Sequence, residues 1–129
     1  MNPVVRFAPS PTGQLHIGGV RTALFNYLFA LKNNGTFLLR IEDTDKKRSE
    51  DIYTEQITES LGWLGFKYQG EPLKQSSKLK RYQEVIEYLL KSGSAYRCFA
   101  TTEELDKIRN KKGNYLYPRT WRNSSQQEI

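Results

Sequence analysis

Cysteine and histidine are almost missing from this chain. Its 129 residues hold one of each, Cys98 and His16. A single cysteine excludes an internal disulfide and fits a reducing compartment. A lone histidine lacks the companions that a His/Cys metal site requires. No apolar run approaches the length of a membrane span. The opening "MNPVVRFAPS" has neither the basic region nor the apolar stretch of a signal peptide, which reads against secretion. There are no internal repeats and no low-complexity tracts. Acid is missing locally: from Met1 to Arg40 there is no Asp or Glu.

The length suits one small domain with a modest core. With 37% hydrophobic and 26% charged residues, the composition is that of an ordinary globular protein. The net charge of +6 favours polyanionic partners, and its distribution says more than its total. After the acid-free stretch, Ile41 to Ser60 carries seven acids against Lys46, Lys47 and Arg48, and the chain then turns basic again. An acid-free segment around a glycine-bearing turn is where a phosphate meets little repulsion.

"VVRFA" (Val4 to Ala8) reads as a short buried strand stopped by Pro9 and Pro11. "PSPTGQLHIGG" is a loop by composition. "VRTALFNYLFALK" is a helix, with Ala23, Leu24, Tyr27, Leu28 and Leu31 at helical spacing and "NNG" (Asn33 to Gly35) as its stop. "TFLLRIED" (Thr36 to Asp43) is a second strand whose apolar run suggests burial on both faces, as in a parallel sheet. The resulting βαβ unit should cross over right-handedly.

"RSEDIYTEQITESLGWLG" follows as a helix with Ile52, Ile57, Leu61 and Leu64 inward and Ser49 as N-cap. "FKYQGEPLKQSS" is irregular, with room for a short strand. "KLKRYQEVIEYLLKSG" is the clearest helix: Leu79, Tyr82, Ile86 and Leu89 form a stripe that Gly93 ends. "AYRCFA" reads as a third apolar strand with Cys98 inside it. Thr101 and Glu104 have capping-box spacing ahead of a short helix with Leu105 and Ile108 inward. Alternating strands and helices make the fold class α/β.

The loop from the first strand into the first helix is the usual ligand position of such a sheet. The helix start offers backbone N–H groups and roughly half a positive charge. Gly18 and Gly19 admit a phosphate to the backbone, and His16 supplies a side-chain donor to a phosphoryl oxygen. Neither a Walker A loop nor G-x-G-x-x-G is present. The plain alternative is that the glycines permit tight helix–strand packing and His16 is a solvated loop residue.

Arg6 in the first strand and Glu42 at the end of the second share one rim. They suit the two charged ends of an amino acid, or a structural ion pair with each other. "DTDKKRSED" suits a Mg²⁺ site or a charged helix entry. Tyr115, Tyr117 and Trp121, interleaved with Arg119 and Arg122, suit nucleic acid or packing against chain beyond these residues.

"RFAPSPTGQLHIGG", "RTALFNYLFA" and "LLRIEDTD" resemble the N-terminal signature of bacterial-type glutamyl-tRNA synthetases, class I enzymes with a Rossmann-type catalytic domain. The likeness continues through "WLG", "QS" and "RYQEVIEYLLKSGSAYRCFATTEEL" to "YPRTWRN". It implies the N-terminal half of a Rossmann-type (HUP-like) parallel-sheet nucleotide-binding domain over residues 1–100. Residues 101–129 would be the start of the acceptor-binding insertion.

The resemblance also implies roles. Arg6, Ala8, Ser10 and Glu42 match glutamate-holding positions, with Arg6 on the side-chain carboxylate and Glu42 on the α-amino group. Thr12, His16, Gly18 and Gly19 match ATP-binding positions, His16 being the catalytic member of "HIGG", the counterpart of HIGH. Asp45 and Arg48 match a stretch near the bound tRNA acceptor end. Gly19 stands where HIGH ends in histidine, a mark of the glutamate-specific members.

Some members carry zinc through a Cys-x-Cys. Here Ala100 replaces the second cysteine, so no zinc is expected, which also argues against glutamyl-queuosine tRNA(Asp) synthetase. The expected partners are ATP with Mg²⁺, glutamate and tRNA(Glu), without a membrane. The full-length protein is expected to be a cytoplasmic monomer. The second half of the catalytic fold, with its lysine loop, is not in this sequence, so the 129-residue chain alone is expected to be inactive. A non-catalytic paralogue and an enzyme that also charges tRNA(Gln) are the alternatives.

Overall fold

A computed structural model describes residues 1–110 and 116–124. Tyr115, one of the aromatics considered for nucleic acid, lies outside the described residues. The chain divides into two compact units, Met1–Leu79 and Lys80–Ile129.

The first unit is a three-stranded parallel sheet in the order β1-β2-β3. β1 (Val4–Phe7) leads through a loop to α1 (Ile17–Lys32) and β2 (Thr36–Ile41); α2 (Asp51–Trp63) follows, then β3 (Leu73–Lys74) and a 3₁₀ turn over Gln75–Lys78. Val4 pairs with Thr36 and Phe7 with Leu39, while β3 joins only the end of β2, Arg40 opposite Leu73 and Ile41 opposite Lys74. Phe7, Phe37, Leu39 and Ile41 form one core cluster with Ala23 and Ala30 of α1, Ile57 and Leu61 of α2, and Phe66. Tyr27 closes it, stacked on Phe66 at 5.0 Å and edge-on to Phe37 at 5.6 Å between ring centroids.

Several sequence expectations change here. β2 is fully buried on one face only: Phe37, Leu39 and Ile41 are buried, and Thr36, Leu38 and Arg40 half-buried. β1 is an edge strand, with Val4 and Arg6 exposed. The inward line of α1 is Ala23, Tyr27 and Ala30, while Leu24, Leu28 and Leu31 stay exposed. Two alanines let the helix axis lie close to the sheet, and that closeness carries the leucines off to the flanks. In α2, Ile57 and Leu61 are buried as expected, but Ile52 is half exposed. Ser49 is not its N-cap. Glu50 is, without a side-chain cap bond, because Arg48 and Ser49 N–H both turn back to Asp45 O and Glu50 N–H donates to Pro11 O.

α1 and α2 end alike, in Schellman motifs. After α1 the left-handed residue is Asn34 (φ 51°), and Gly35 N–H returns to Ala30 O at 2.8 Å. Gly35 serves close approach instead: a Cβ there would collide with the Pro3 carbonyl, where Thr36 N–H docks at 2.8 Å. After α2, Gly65 (φ 76°) is followed by Phe66, whose N–H reaches Leu61 O at 2.9 Å.

The second unit contains α3 (Leu79–Lys91, beginning at the unit boundary) and α4 (Thr102–Arg109). Gly93 (φ 71°) ends α3 as expected. The capping box is present: Glu104 N–H donates to Thr101 Oγ1 at 3.2 Å and Thr101 N–H to Glu104 Oε2 at 2.8 Å. "AYRCFA" is not a strand. Its apolar residues meet other side chains instead of a pairing strand. Phe99 lies edge-on to Trp121 at 5.3 Å, the Arg122 guanidinium lies 5.1 Å over the Tyr96 ring, and exposed Cys98 is hydrogen-bonded to the Tyr117 hydroxyl at 2.9 Å. Tyr117, Trp121 and Arg122 therefore pack on residues 96–99.

Candidate active site

The loop from Ala8 to Leu15 leaves the carboxyl end of β1, and His16 closes it as the N-cap of α1, with extended backbone (φ −87°, ψ 163°). The helix starts at Ile17, so "IGG" is its first turn and not loop. Gly18 N–H donates to His16 Nδ1 at 3.1 Å, and Gly19 and Val20 N–H donate to His16 O at 2.9 and 3.1 Å. The expectation of open first-turn amides is corrected accordingly: the imidazole and carbonyl of His16 take those of Gly18 and Gly19, and Val20 makes the first regular helix bond. An N–H can only donate, so Nδ1 is an acceptor and the proton of the neutral ring sits on Nε2.

Ser10, Thr12, His16 and Gly19 line a cleft of about 420 Å³ whose apolar lining includes Phe7 and Ile57. Of the expected site residues, these four are brought together. Ala8 lies half-buried at the start of the loop, and Gly18 sits beneath the His16 ring. Arg6 is exposed in β1 opposite Leu38, on the strand face away from Phe7. Glu42 does lie at the shared rim, where its N–H donates to Pro9 O at 2.8 Å. Its carboxylate, however, is paired with Arg40 and not with Arg6. The structural Arg6–Glu42 ion pair considered on sequence is thus not formed, and Arg6 has no ion pair among the described residues.

Three of the four acids of "DTDKKRSED" have a bonded partner. Asp43 accepts from Ser76 N–H at 2.8 Å and Ser76 Oγ at 2.5 Å. Partial burial opposes its ionisation, but the two Ser76 bonds prevail and hold its carboxyl below the ordinary 3.8. Asp45 accepts from Arg48 Nε at 2.7 Å, which lowers its pKa, so the two residues matched to the acceptor end bind each other. Asp51 pairs with Lys74 at 2.8 Å and raises that lysine's pKa. The charged helix entry is the reading this geometry carries. Sequence reasoning missed the Asp43–Ser76 tie and the Arg40–Glu42 pair. Nothing local marks Ser76, 33 positions downstream, as the partner of Asp43.

A parallel sheet with a capped helix after its first strand, and a cleft at that junction, defines an α/β nucleotide-binding architecture of Rossmann type. Over residues 3–128 the chain matches the family described as tRNA synthetases class I (E and Q), catalytic domain, and it belongs to that family. It is 58% identical over 117 residues to a glutamate–tRNA ligase of Prochlorococcus marinus, covering 86% of this chain and 25% of the relative. It is 59% identical over 107 residues to one of Coprothermobacter proteolyticus, covering 83% and 23%. Among solved structures it resembles a glutamate–tRNA ligase from Elizabethkingia meningosepticum in complex with its amino acid. That likeness has a TM-score of 0.75 and 48% identity, over 84% of this chain and 23% of the other. The chain spans about a quarter of the length of the curated relatives it matches.

Proposed function

We propose that this chain carries the His16 half of the active site of a glutamate–tRNA ligase. In that reaction a glutamate carboxylate oxygen bonds to the α-phosphorus of ATP, and the bond to the bridging oxygen breaks. Pyrophosphate leaves with the electron pair; a hydroxyl of the tRNA(Glu) terminal ribose then bonds to the glutamyl carbonyl carbon, that carbon's bond to the phosphate oxygen breaks, and AMP leaves. The observation that carries the reading is the seating of His16: a ring held by Gly18 N–H has one donor left, Nε2–H, at a cleft shared with Ser10 and Thr12. A fixed donor aimed at phosphoryl oxygens stabilises charge that grows in the transition state.

Thr12, His16 and Gly19 serve ATP, with Gly18 in the same segment, and Mg²⁺ accompanies ATP as part of the substrate. Arg6, Ala8, Ser10 and Glu42 serve glutamate, and Asp45 and Arg48 serve the acceptor end. The lone Cys98, with Ala100 two residues on, supports a protein without zinc. A monomer in the cytoplasm completes the proposal. The relatives favour neither the glutamyl-queuosine enzyme nor a non-catalytic paralogue.

The test is glutamate-dependent ATP–pyrophosphate exchange by the gene product containing this chain, with and without tRNA(Glu). Exchange is expected under at least one condition, and its absence under both overturns the proposal. Calorimetric titration of the 129-residue chain with ATP and a non-hydrolysable glutamyl-adenylate mimic adds a second arm. Tight binding there without exchange anywhere would favour the paralogue.

A further inference from the structure

The two glycines after His16 serve different neighbours. A Cβ at Gly19 would meet Leu15 Cδ1 at 2.7 Å, whereas a Cβ at Gly18 would meet His16 Cε1 at 2.8 Å and Nδ1 at 2.9 Å. Both contacts at Gly18 are too close for carbon. The imidazole therefore lies in space that exists because residue 18 has no side chain, and the same residue's N–H holds Nδ1 at 3.1 Å. One residue thus sets both where the ring sits and which nitrogen keeps the proton.

We propose that Gly18 is a positioning residue for His16: its missing side chain forms the seat of the imidazole, its amide selects the Nε2–H tautomer, and it acts on ATP only through that ring. This rests on the reading of His16 as a donor to phosphate. It departs from the simpler idea that both glycines admit the nucleotide to the backbone, because while the ring is seated the Gly18 amide is occupied.

His16 is the only histidine in the chain, so its ring nitrogens can be observed without ambiguity by ¹⁵N imidazole resonances of the labelled 129-residue chain. Near neutral pH they are expected to show an unprotonated, hydrogen-bonded Nδ1 and a protonated Nε2. In Gly18→Ala the two tautomers are expected to mix. Alanine is the better helix former and the obstructed atoms end a flexible side chain, so α1 should survive; circular dichroism checks this.

In the gene product, Gly18→Ala is expected to lower kcat of exchange roughly 10- to 100-fold, the order for a misplaced catalytic group, with little change in KM for ATP. Added to His16→Ala, Gly18→Ala is expected to cost nothing further, since residues acting as one unit are not additive. An unchanged tautomer in Gly18→Ala overturns the proposal, as does an equal further loss in the His16→Ala background. If instead His16→Ala alone leaves exchange intact, the ligase mechanism read from His16 fails, while the resonances still decide whether the seat exists.

Discussion

The two units of the chain are built on different terms. All nine buried residues of the hydrophobic core cluster, from Phe7 to Phe66, belong to the first unit. Among the described residues of the second, none is fully buried, and Ile86 and Tyr88 of α3 are 54% and 69% exposed. The first unit draws on close packing around a parallel sheet. The second is organised by individual contacts: a capping box, a Schellman turn at Gly93, an aromatic edge contact and a cation over a ring. The difference teaches what the candidate site rests on. The cleft at His16 has Phe7 and Ile57 in its lining, both members of the core cluster. A mutation that loosens the core therefore reaches the site directly.

The largest effect that tests this contrast is expected from Leu61→Ala. Removing a fully buried leucine should destabilise the first unit by about 2–5 kcal/mol, measured by denaturant unfolding followed by circular dichroism. Ile86→Ala, on the exposed stripe of α3, should cost no more than about 0.5 kcal/mol. Equal costs would erase the distinction between the units.

Next in size is Asp43→Ala, which removes both Ser76 bonds and should cost about 1–3 kcal/mol. The Asp43 carboxyl is held below its ordinary 3.8 in the fold. Its contribution is therefore fully present above that value and is lost as pH falls through the lower folded pKa. Wild type and Asp43→Asn should accordingly converge in stability under acid and diverge near neutrality. In the second unit, Thr101→Ala should weaken α4 by about 1 kcal/mol, read as a loss of amide-exchange protection confined to residues 102–109. The smallest change concerns Tyr117, whose hydroxyl is pushed up to about 12, chiefly by its bond to Cys98. Spectrophotometric titration of Cys98→Ala should bring one tyrosine back toward 10.0.

What the sequence made legible was local or periodic. Strand, helix and strand around "APSPTG" could be read because proline and glycine punctuate them, and the ends of α1 and α3 because Asn and Gly supply the left-handed residue. The capping box spans three positions and could be read for that reason. The misreadings arose where packing or a competing partner decided the outcome. "AYRCFA" has strand composition, but a strand exists only against another, and its aromatics found Trp121 and Arg122. Leucines at 24, 28 and 31 looked like the inward stripe because composition ranks leucine above alanine, while proximity to the sheet selected Ala23 and Ala30. Arg6 and Glu42 were expected to share a rim, but Arg6 lies in register with Leu38, four residues short of Glu42, and Arg40, two residues from Glu42 on the same strand, holds the carboxylate. In the cleft itself, Ser10, Thr12, His16 and Gly19 were readable from the signature as candidates. The use of Gly18 N–H by the His16 ring was not, because only coordinates show a side chain folding back onto its own helix.

The most direct measurement is glutamate-dependent ATP–pyrophosphate exchange by the gene product, with tRNA(Glu) present, for wild type against His16→Ala. A donor aimed at developing charge is worth about 10²–10³ in rate, so exchange should fall by that order while the fold persists. Exchange by the variant within about twofold of wild type, under half a kcal/mol in barrier, would contradict the account.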